Sequence, residues 1–333
     1  MSVAILATAF TAGTVQTQIS GLEDVNEGNY LRAIADHIVS GYGIPINWGS
    51  NSGPPANFGL AASNSAGLYT LDVDKISRLN SGNGEFLSYP EVSAAARLSN
   101  IALGISVCQM LSIDIELFGN TTLGDITAYT FRVSVSQDSG PTVASLNCYV
   151  VAKDFLGEVY NETQSDGVGY VTVQVPNASN GTALLAAFAR VPFDDRRTSF
   201  ALYSFAHLSP APAPNETFLH LSPLNYTLTL SLNSPATTTI SGGYAFSYTY
   251  KSNLTSTSNS TYAIPALLDN SPTVLVVQGV NGTASFAEWT SYPQVPLEFG
   301  SDFAGSEENV FVYLVTVKGT LYKLTMRFGD VIK

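Results

Sequence analysis

Charged residues are scarce in this chain of 333 residues, since only 12% are Asp, Glu, Lys or Arg. Lys and Arg total 14 against 26 acidic residues, which gives a formal net charge of −12 at pH 7. Proteins that bind nucleic acid need clustered Lys and Arg to contact phosphates, so the composition argues against such a surface. It favours an exterior environment, in which neutral polar residues or attached glycan keep the chain soluble.

Cysteine and histidine are also rare. The only two cysteines, Cys108 and Cys148, exclude a disulfide framework and a metal site with four cysteine ligands. One disulfide between them and two free thiols are both compatible with the sequence. His37, His207 and His220 stand in no spacing that metal sites or catalytic triads use. Nucleophile-elbow, phosphate-loop, dinucleotide and zinc-protease motifs are missing as well, so the sequence predicts no enzyme, no cofactor and no metal.

Two groups of charged residues are the remaining candidates for chemistry. Asp72 and Asp74 suggest a calcium loop, but the further oxygen ligands and the glycine of such a loop are missing at the right offsets. Solvated carboxylates at the start of a helix are the favoured interpretation. The adjacent residues 194–197, Asp-Asp-Arg-Arg, are predicted to form ion pairs at a loop tip, because neighbours in a turn point apart and stay hydrated.

The first 40 residues have the most distinctive pattern. No charge occurs before Glu23, and apolar residues recur at steps of three, four and seven, which predicts one long helix over 1–40. Its uncharged part is diluted by Thr and Gln and is short for a membrane span. We therefore expect it to pack against other copies of itself. The predicted assembly residues are Val3, Ile5, Leu6, Phe10, Val15, Ile19, Leu22, Leu31, Ile34 and Ile38.

After the glycines and prolines that follow residue 40, the pattern becomes mixed and then alternates. Trp48 is expected to anchor an irregular loop, and Tyr89–Leu103 is predicted as a second helix. From Ile105 onwards short runs rich in Val, Tyr, Phe and Thr alternate with turns, which is typical of a β-sandwich. The fold class predicted is α+β: a long N-terminal helix, then a predominantly antiparallel, immunoglobulin-like β-sandwich head.

Four segments follow from this division. They are an assembly helix (1–40), a mixed loop and helix segment (41–125), an immunoglobulin-like sandwich (126–206) and a second β-rich region (207–333). A proline-rich joint at Leu208–Thr217 separates the last two. Whether these two form one head or two domains is open in the sequence. The strands predicted most clearly include Asn309–Val317 and Thr320–Phe328, joined by a Lys318-Gly319 hairpin turn.

Sequons of the form Asn-X-Ser/Thr are concentrated after Gly119 and missing from the first hundred residues. Use of some of them for N-glycosylation and plain solvated loops are the two interpretations, and we expect the first. The candidate acceptors are Asn120, Asn161, Asn177, Asn180, Asn215, Asn225, Asn253, Asn259 and Asn281.

The segments LRAIADHIVSGYGIPINWG, LYTLDVDKISRL and YPEVSAAARL follow the apolar N-terminus within the first hundred residues. In this layout the chain resembles archaeal type IV pilin-like proteins, the superfamily of archaeal flagellins and adhesion-filament subunits. Position 5 is Ile5, where bacterial pilins have glutamate. The resemblance implies a filament with N-terminal helices in its core and β-domains outside.

The expected function is thus that of a structural subunit of an extracellular archaeal adhesion filament on the cell surface. Its partners would be copies of itself, other cell surfaces or abiotic surfaces, and a membrane only during assembly. The alternative is a membrane-tethered cell-surface module that binds a sugar or another surface ligand. An enzyme is the least favoured reading of the motifs.

Overall fold

The computed structural model describes the chain in nine stretches, and its secondary structure is mostly β, with 56% strand and 12% helix. The stretches are 27–63, 67–98, 100–212, 219–222, 226–231, 237–258, 260–266, 269–300 and 309–330. The described helices are α1 (27–40), α2 (Val73–Ser77) and α3 (Tyr89–Ala96). Among them, none combines the length and apolar character that a membrane crossing requires.

The prediction of an α+β fold with a long N-terminal helix was wrong. The described residues are dominated by strands, and their first helix covers only 27–40; the rest of the predicted helix lies outside the described residues. The physical reason is that alternating strand patterns occupy most of the chain, and these build the cores.

The strands before residue 210 are β1 (Thr70–Leu71), β2 (Ile101–Gln109), β3 (Ser112–Leu123), β4 (Ile126–Gln137), β5 (Gly140–Pro141), β6 (Ser145–Ala152), β7 (Phe155–Glu162), β8 (Val168–Pro176), β9 (Gly181–Arg190) and β10 (Thr198–His207). The later strands are β11 (Leu219–Ser222), β12 (Thr227–Leu230), β13 (Thr238–Phe246), β14 (Lys251–Asn253), β15 (Thr255–Ser258), β16 (Thr261–Ala263), β17 (Thr273–Asn281), β18 (Ala284–Tyr292), β19 (Leu297–Gly300), β20 (Asn309–Val317) and β21 (Thr320–Asp330).

Both ends of the described chain contribute to one unit. Its five-stranded sheet has the order β1-β20-β21-β2-β19, and α1 packs on the inner face. Leu31 and Ile38 of α1 lie in the same core as Leu324 and Met326 of β21. The flank of α1 is tied to the sheet where the Tyr313 hydroxyl donates to Asp36 Oδ1 at 2.8 Å.

Buried side chains hold the irregular segment between α1 and α2 in place. As expected from the sequence, Trp48 is an anchor: it is 1% exposed, and its Nε1 donates to the carbonyl of Gly59 at 2.9 Å. The Lys75 ammonium donates to the carbonyls of Tyr42 and Ala61 at 2.8 and 2.7 Å. These bonds satisfy carbonyls that the loop cannot pair within itself, so α2 stabilises a segment without regular structure.

Between β2 and β19 the described residues form four further sheets that stack in series. They are β3-β4-β5 with β8 paired to β4, then β10-β9-β6-β7, then β14-β13-β17-β18, then β11-β12-β16-β15. Each neighbouring pair of sheets encloses a hydrophobic core, so three cores lie in a row.

The sequence explains which sheets are central. In β6 and β9 almost every residue is buried, because alternate side chains enter the cores on opposite faces. Thus Cys148 belongs to the first core and its neighbour Tyr149 to the second. Strand β8, in an outer sheet, instead alternates between buried and exposed residues. A continuous apolar run marks a strand covered on both faces, and alternation marks one covered on a single face.

Candidate functional site

The residues predicted for assembly divide into two groups. Leu31 and Ile38 are 2% and 1% exposed and lie in the chain's own core, and Ile34 is half-buried against that core. The remaining seven, from Val3 to Leu22, lie outside the described residues. Within the described part, the apolar face of α1 therefore points inward.

The candidate glycosylation positions lie mostly on the surface. Asn120, Asn161, Asn180, Asn253 and Asn281 are exposed. The sixth described one, Asn177, is half-buried, and its Nδ2 donates to the Gly124 carbonyl at 3.0 Å. Asn215, Asn225 and Asn259 lie outside the described residues.

The two cysteines are free thiols in different parts of the fold. Cys148 is fully buried in the first core, and burial raises the pKa of its thiol to about 12. Such a thiol does not form thiolate near neutral pH and is unreactive. Cys108 on β2 is half-buried, with its Sγ 3.4 Å from Ser106 Oγ.

The histidines show no catalytic arrangement in the described part of the chain. His37 is exposed on α1. His207 is buried between the Tyr129 hydroxyl, 2.9 Å from Nδ1, and the Pro176 carbonyl, 2.8 Å from Nε2. Because a carbonyl only accepts, Nε2 is the donor in the bond to Pro176. Searching the described residues for three or more His, Cys, Asp or Glu that could hold a metal finds no group.

The charged tetrad at 194–197 forms the predicted ion pairs at a turn between β9 and β10. The Arg197 Nε donates to Asp194 at 2.8 Å, and the Arg196 Nε does so at 3.3 Å. The bond from Arg197, with that from Arg196, lowers the pKa of Asp194 against the opposing effect of burial. The side chains of Arg196 and Asp195 are 65% and 84% exposed and stay hydrated, whereas that of Asp194 is 18% exposed.

The acidic pair near α2 is only partly as predicted. Asp72 caps α2, because its Oδ1 accepts from the backbone N–H groups of Asp74 and Lys75. Asp74 is 7% exposed, so its predicted solvation was wrong. It accepts from the Tyr292 hydroxyl at 2.6 Å and the Tyr226 hydroxyl at 3.1 Å. The carboxylate thus links the unit with the five-stranded sheet to the last two stacked sheets, and both of its oxygens are used in that contact.

The outer edge of β20 is the surface feature that indicates a binding partner. Val310, Val312 and Leu314 are 51%, 59% and 55% exposed, and they alternate with Phe311 and Tyr313, which pack against the core. Exposed apolar residues are ordinary when they are single. Here three exposed apolar residues alternate along one strand and form a continuous stripe. Contiguous apolar surface of this kind is typical of interaction sites.

The same strand has an open backbone edge. Strand β20 pairs with β21 along its whole length in a hairpin that joins Val317 to Thr320. On the other side, the described residues that pair with it are Thr70 and Leu71, next to Thr316 and Val317. Among the described residues, none pairs with this side of β20 from Asn309 to Val315, and this segment is called the free edge.

Hairpin geometry fixes which backbone groups face this free edge. In a two-residue hairpin, the backbone N–H and C=O groups of every second residue bond to the partner strand. The backbone groups of the residues between them point away from it. Thr316 is one that points away, since its N–H donates to the Tyr69 carbonyl at 3.0 Å. By the same period, Leu314, Val312 and Val310 direct their N–H and C=O groups outward. An apolar stripe and a set of open hydrogen-bonding groups thus coincide.

Several other edge strands carry charges that discourage pairing, although the edge strands β8, β10 and β15 carry none. Glu116 lies on β3, Glu158 on β7, Lys251 on β14 and Glu298 on β19. Natural sheets use such charges to protect their edges from other strands. The sequence of β20, NVFVYLVTV, contains neither a charge nor a proline. This neutral run was visible in the sequence, but only the structure shows that β1, the neighbouring strand, pairs with no more than its last two residues.

No protein-family model matches the chain, and no curated protein matches it. Among solved structures, the chain is similar to HBP35 of Porphyromonas gingivalis over 54% of its own length, with 12% sequence identity and a TM-score of 0.21. It spans 63% of that protein's chain. These matches assign the chain to no family.

Proposed function

We propose that this protein is a self-associating structural subunit of an extracellular filament of the archaeal adhesion type. The observation that carries the proposal is the open edge of β20, with its stripe of Val310, Val312 and Leu314. Burying apolar surface is favourable by about 25 cal/mol per Å². An added strand would also pair the outward backbone groups, so contact with another chain satisfies both features at once.

The stacked sheets support a structural role. The second core is shared by the two middle sheets, where Tyr149 stacks on Phe246 with ring centroids 4.6 Å apart. Shared cores resist relative motion of the sheets, because packed interiors deform little. A stiff head suits a subunit that must hold its neighbours in a fixed arrangement.

The surface chemistry supports an exterior location. Five candidate glycosylation sites are exposed on strands or turns of the stack, including Asn120 on β3 and Asn281 on β17. Glycan at these sites would extend into solvent and leave the β20 edge uncovered, because none of the described sites lies on the five-stranded sheet.

Electron microscopy of the full-length protein tests the proposal. The wild-type chain should form regular filaments, and Val312→Lys should reduce their number at least tenfold, because a charge on the edge opposes strand pairing. Leu123→Lys is the matched control: Leu123 is 84% exposed on β3 and gains the same charge. Wild-type protein that stays monomeric at every concentration would overturn the proposal.

A membrane-tethered binding module remains a second candidate because of one cleft. A cavity of about 600 Å³ lies where the end of β2 meets β10 and Trp289 of β18, and Cys108 is on its wall. Labelling of Cys108 by a thiol reagent reports on this cleft, since Cys148 is unreactive. Protection of Cys108 by an added oligosaccharide, in protein that forms no filaments, would favour the binding module.

A further inference from the structure

We propose that the partner of the β20 edge is the same edge of a second copy, paired antiparallel about a two-fold axis at Val312. This inference rests on the proposed self-association and names its geometry. It turns two five-stranded sheets into one continuous sheet across two copies.

The register follows from the length of the free edge. Thr316 already donates to Tyr69, so pairing must stop at Val315. The free edge Asn309–Val315 has Val312 as its midpoint, and a two-fold axis there gives the longest overlap. Val312 then faces the partner's Val312, and Val310 faces the partner's Leu314. In this register all three outward residues form hydrogen-bonded pairs, each exchanging two bonds.

In this register the side chains of β20 are complementary to those of β20 in the second copy. On the outer face every cross-strand pair is apolar with apolar. On the inner face, half-buried Phe311 meets the partner's Tyr313, an aromatic pair of the kind that stabilises antiparallel strands. Since β20 has no charge, no like charges meet across the axis. Binding of a different protein would not require β20 to be symmetric about its midpoint, so this symmetry favours a second copy as the partner.

The contact area makes the pair weak in isolation. Seven residues along one edge cover much less than the roughly 1,600 Å² of a standard stable interface. A pair of this kind also closes on itself, because a two-fold contact uses the same patch on both copies. Growth of a filament therefore needs a second surface, for which Val3 to Leu22 remain the predicted residues.

Cysteine cross-linking tests the register in the full-length chain. Cys108→Ser removes the accessible native thiol, and Val312→Cys is then added. Paired residues of this type have Cα atoms about 5.5 Å apart, within disulfide range. Under mild oxidation we expect most of the Val312→Cys protein to become covalent dimer. Val310→Cys should stay monomeric, because its copy in the partner lies roughly 14 Å away along the strand.

Mixing two variants gives the positive control. Val310→Cys and Leu314→Cys, each in the Cys108→Ser chain, should cross-link only when combined. Monomeric Val312→Cys protein, or equal cross-linking of Val310→Cys alone, would overturn the inference. Filaments of wild-type protein together with that result would leave the proposed function standing with another partner at the edge. Specific cross-links without wild-type filaments would instead overturn the proposed function alone.

Discussion

Asp74 shows how one buried carboxylate makes stability depend on pH. Burial raises its pKa above the usual 3.8, and hydrogen bonds from Tyr292 and Tyr226 only partly oppose this. Between 3.8 and the raised value, the folded state holds a proton that the unfolded state has lost. Stability contributed by Asp74 is therefore present at low pH and is lost as pH rises through that window.

Replacing Asp74 by Asn should remove this pH dependence. Asn stays neutral and can still bond to both tyrosine hydroxyls. We expect Asp74→Asn to gain stability relative to wild type as pH rises above the usual pKa of 3.8, and to level off once pH exceeds the raised pKa of Asp74. Urea unfolding at several pH values measures the difference, with exposed Asp114→Asn as the control. Parallel curves for wild type and Asp74→Asn would contradict the prediction.

The sequence could not reveal the burial of Asp74. Its neighbour Asp72 occupies the helix cap that the pattern indicated, and local sequence determines such caps. Burial of Asp74 comes from tyrosines 152 and 218 positions further along the chain. A contact of that sequence separation depends on how the sheets stack, which residue patterns near Asp74 do not encode.

At the scale of single elements, the sequence predicted the last two strands well and the helices less well. Asn309–Val317 and the Lys318-Gly319 turn are confirmed, and the predicted strand Thr320–Phe328 corresponds to β21. The predicted helix Tyr89–Leu103 instead ends at Ala96, and Ile101 already begins β2. The helix end was missed because Arg97, and no glycine, stands at the position that stops it.

Arg97 ends α3 in a left-handed conformation, with φ 59° and ψ 40°. Its N–H bonds to Ala94 O and that of Leu98 to Ser93 O, which is the Schellman arrangement that favours glycine. A side chain in this conformation costs about 1–2 kcal/mol. Arg97→Gly should therefore stabilise the protein by about 1 kcal/mol, as measured by urea unfolding.

Arg97→Ala separates the two effects of that substitution. Alanine removes the same guanidinium but keeps the Cβ atom, so it should give no stabilisation. If Arg97→Ala stabilises as much as Arg97→Gly, the gain comes from the lost charge and the conformational argument fails.

For the whole molecule, the order of sheets was beyond the sequence. Strand β2 pairs antiparallel with β21 along its length, so residue 101 meets residue 330. Alternating patterns indicate that each segment is a strand, but they carry no record of which strand is its neighbour. The open edge of β20 follows from that order. The candidate site could therefore be recognised only in the structure. The sequence showed that the strand is neutral and apolar, but not that part of its edge is unpaired among the described residues.

Because they share the second core, the two middle sheets should unfold locally as one cooperative unit. Phe246 is fully buried there, between Tyr149 of β6 and the strands beside β13. Phe246→Ala should cost about 3–5 kcal/mol, because truncating a buried aromatic side chain leaves a cavity. The loss should weaken sheets on both sides of the core, so amide hydrogen exchange should speed up in β6 and in β17.

Val173→Ala supplies the comparison for that experiment. Val173 lies in the first core, which β6 shares but β17 does not. This variant should speed exchange in β6 and leave β17 close to wild type. If Phe246→Ala speeds exchange in β13 and β17 alone, the sheets open separately, and the stack is two independent bodies in contact. Exchange that rises on both sides of the core would show that the head behaves as the stiff unit a filament subunit requires.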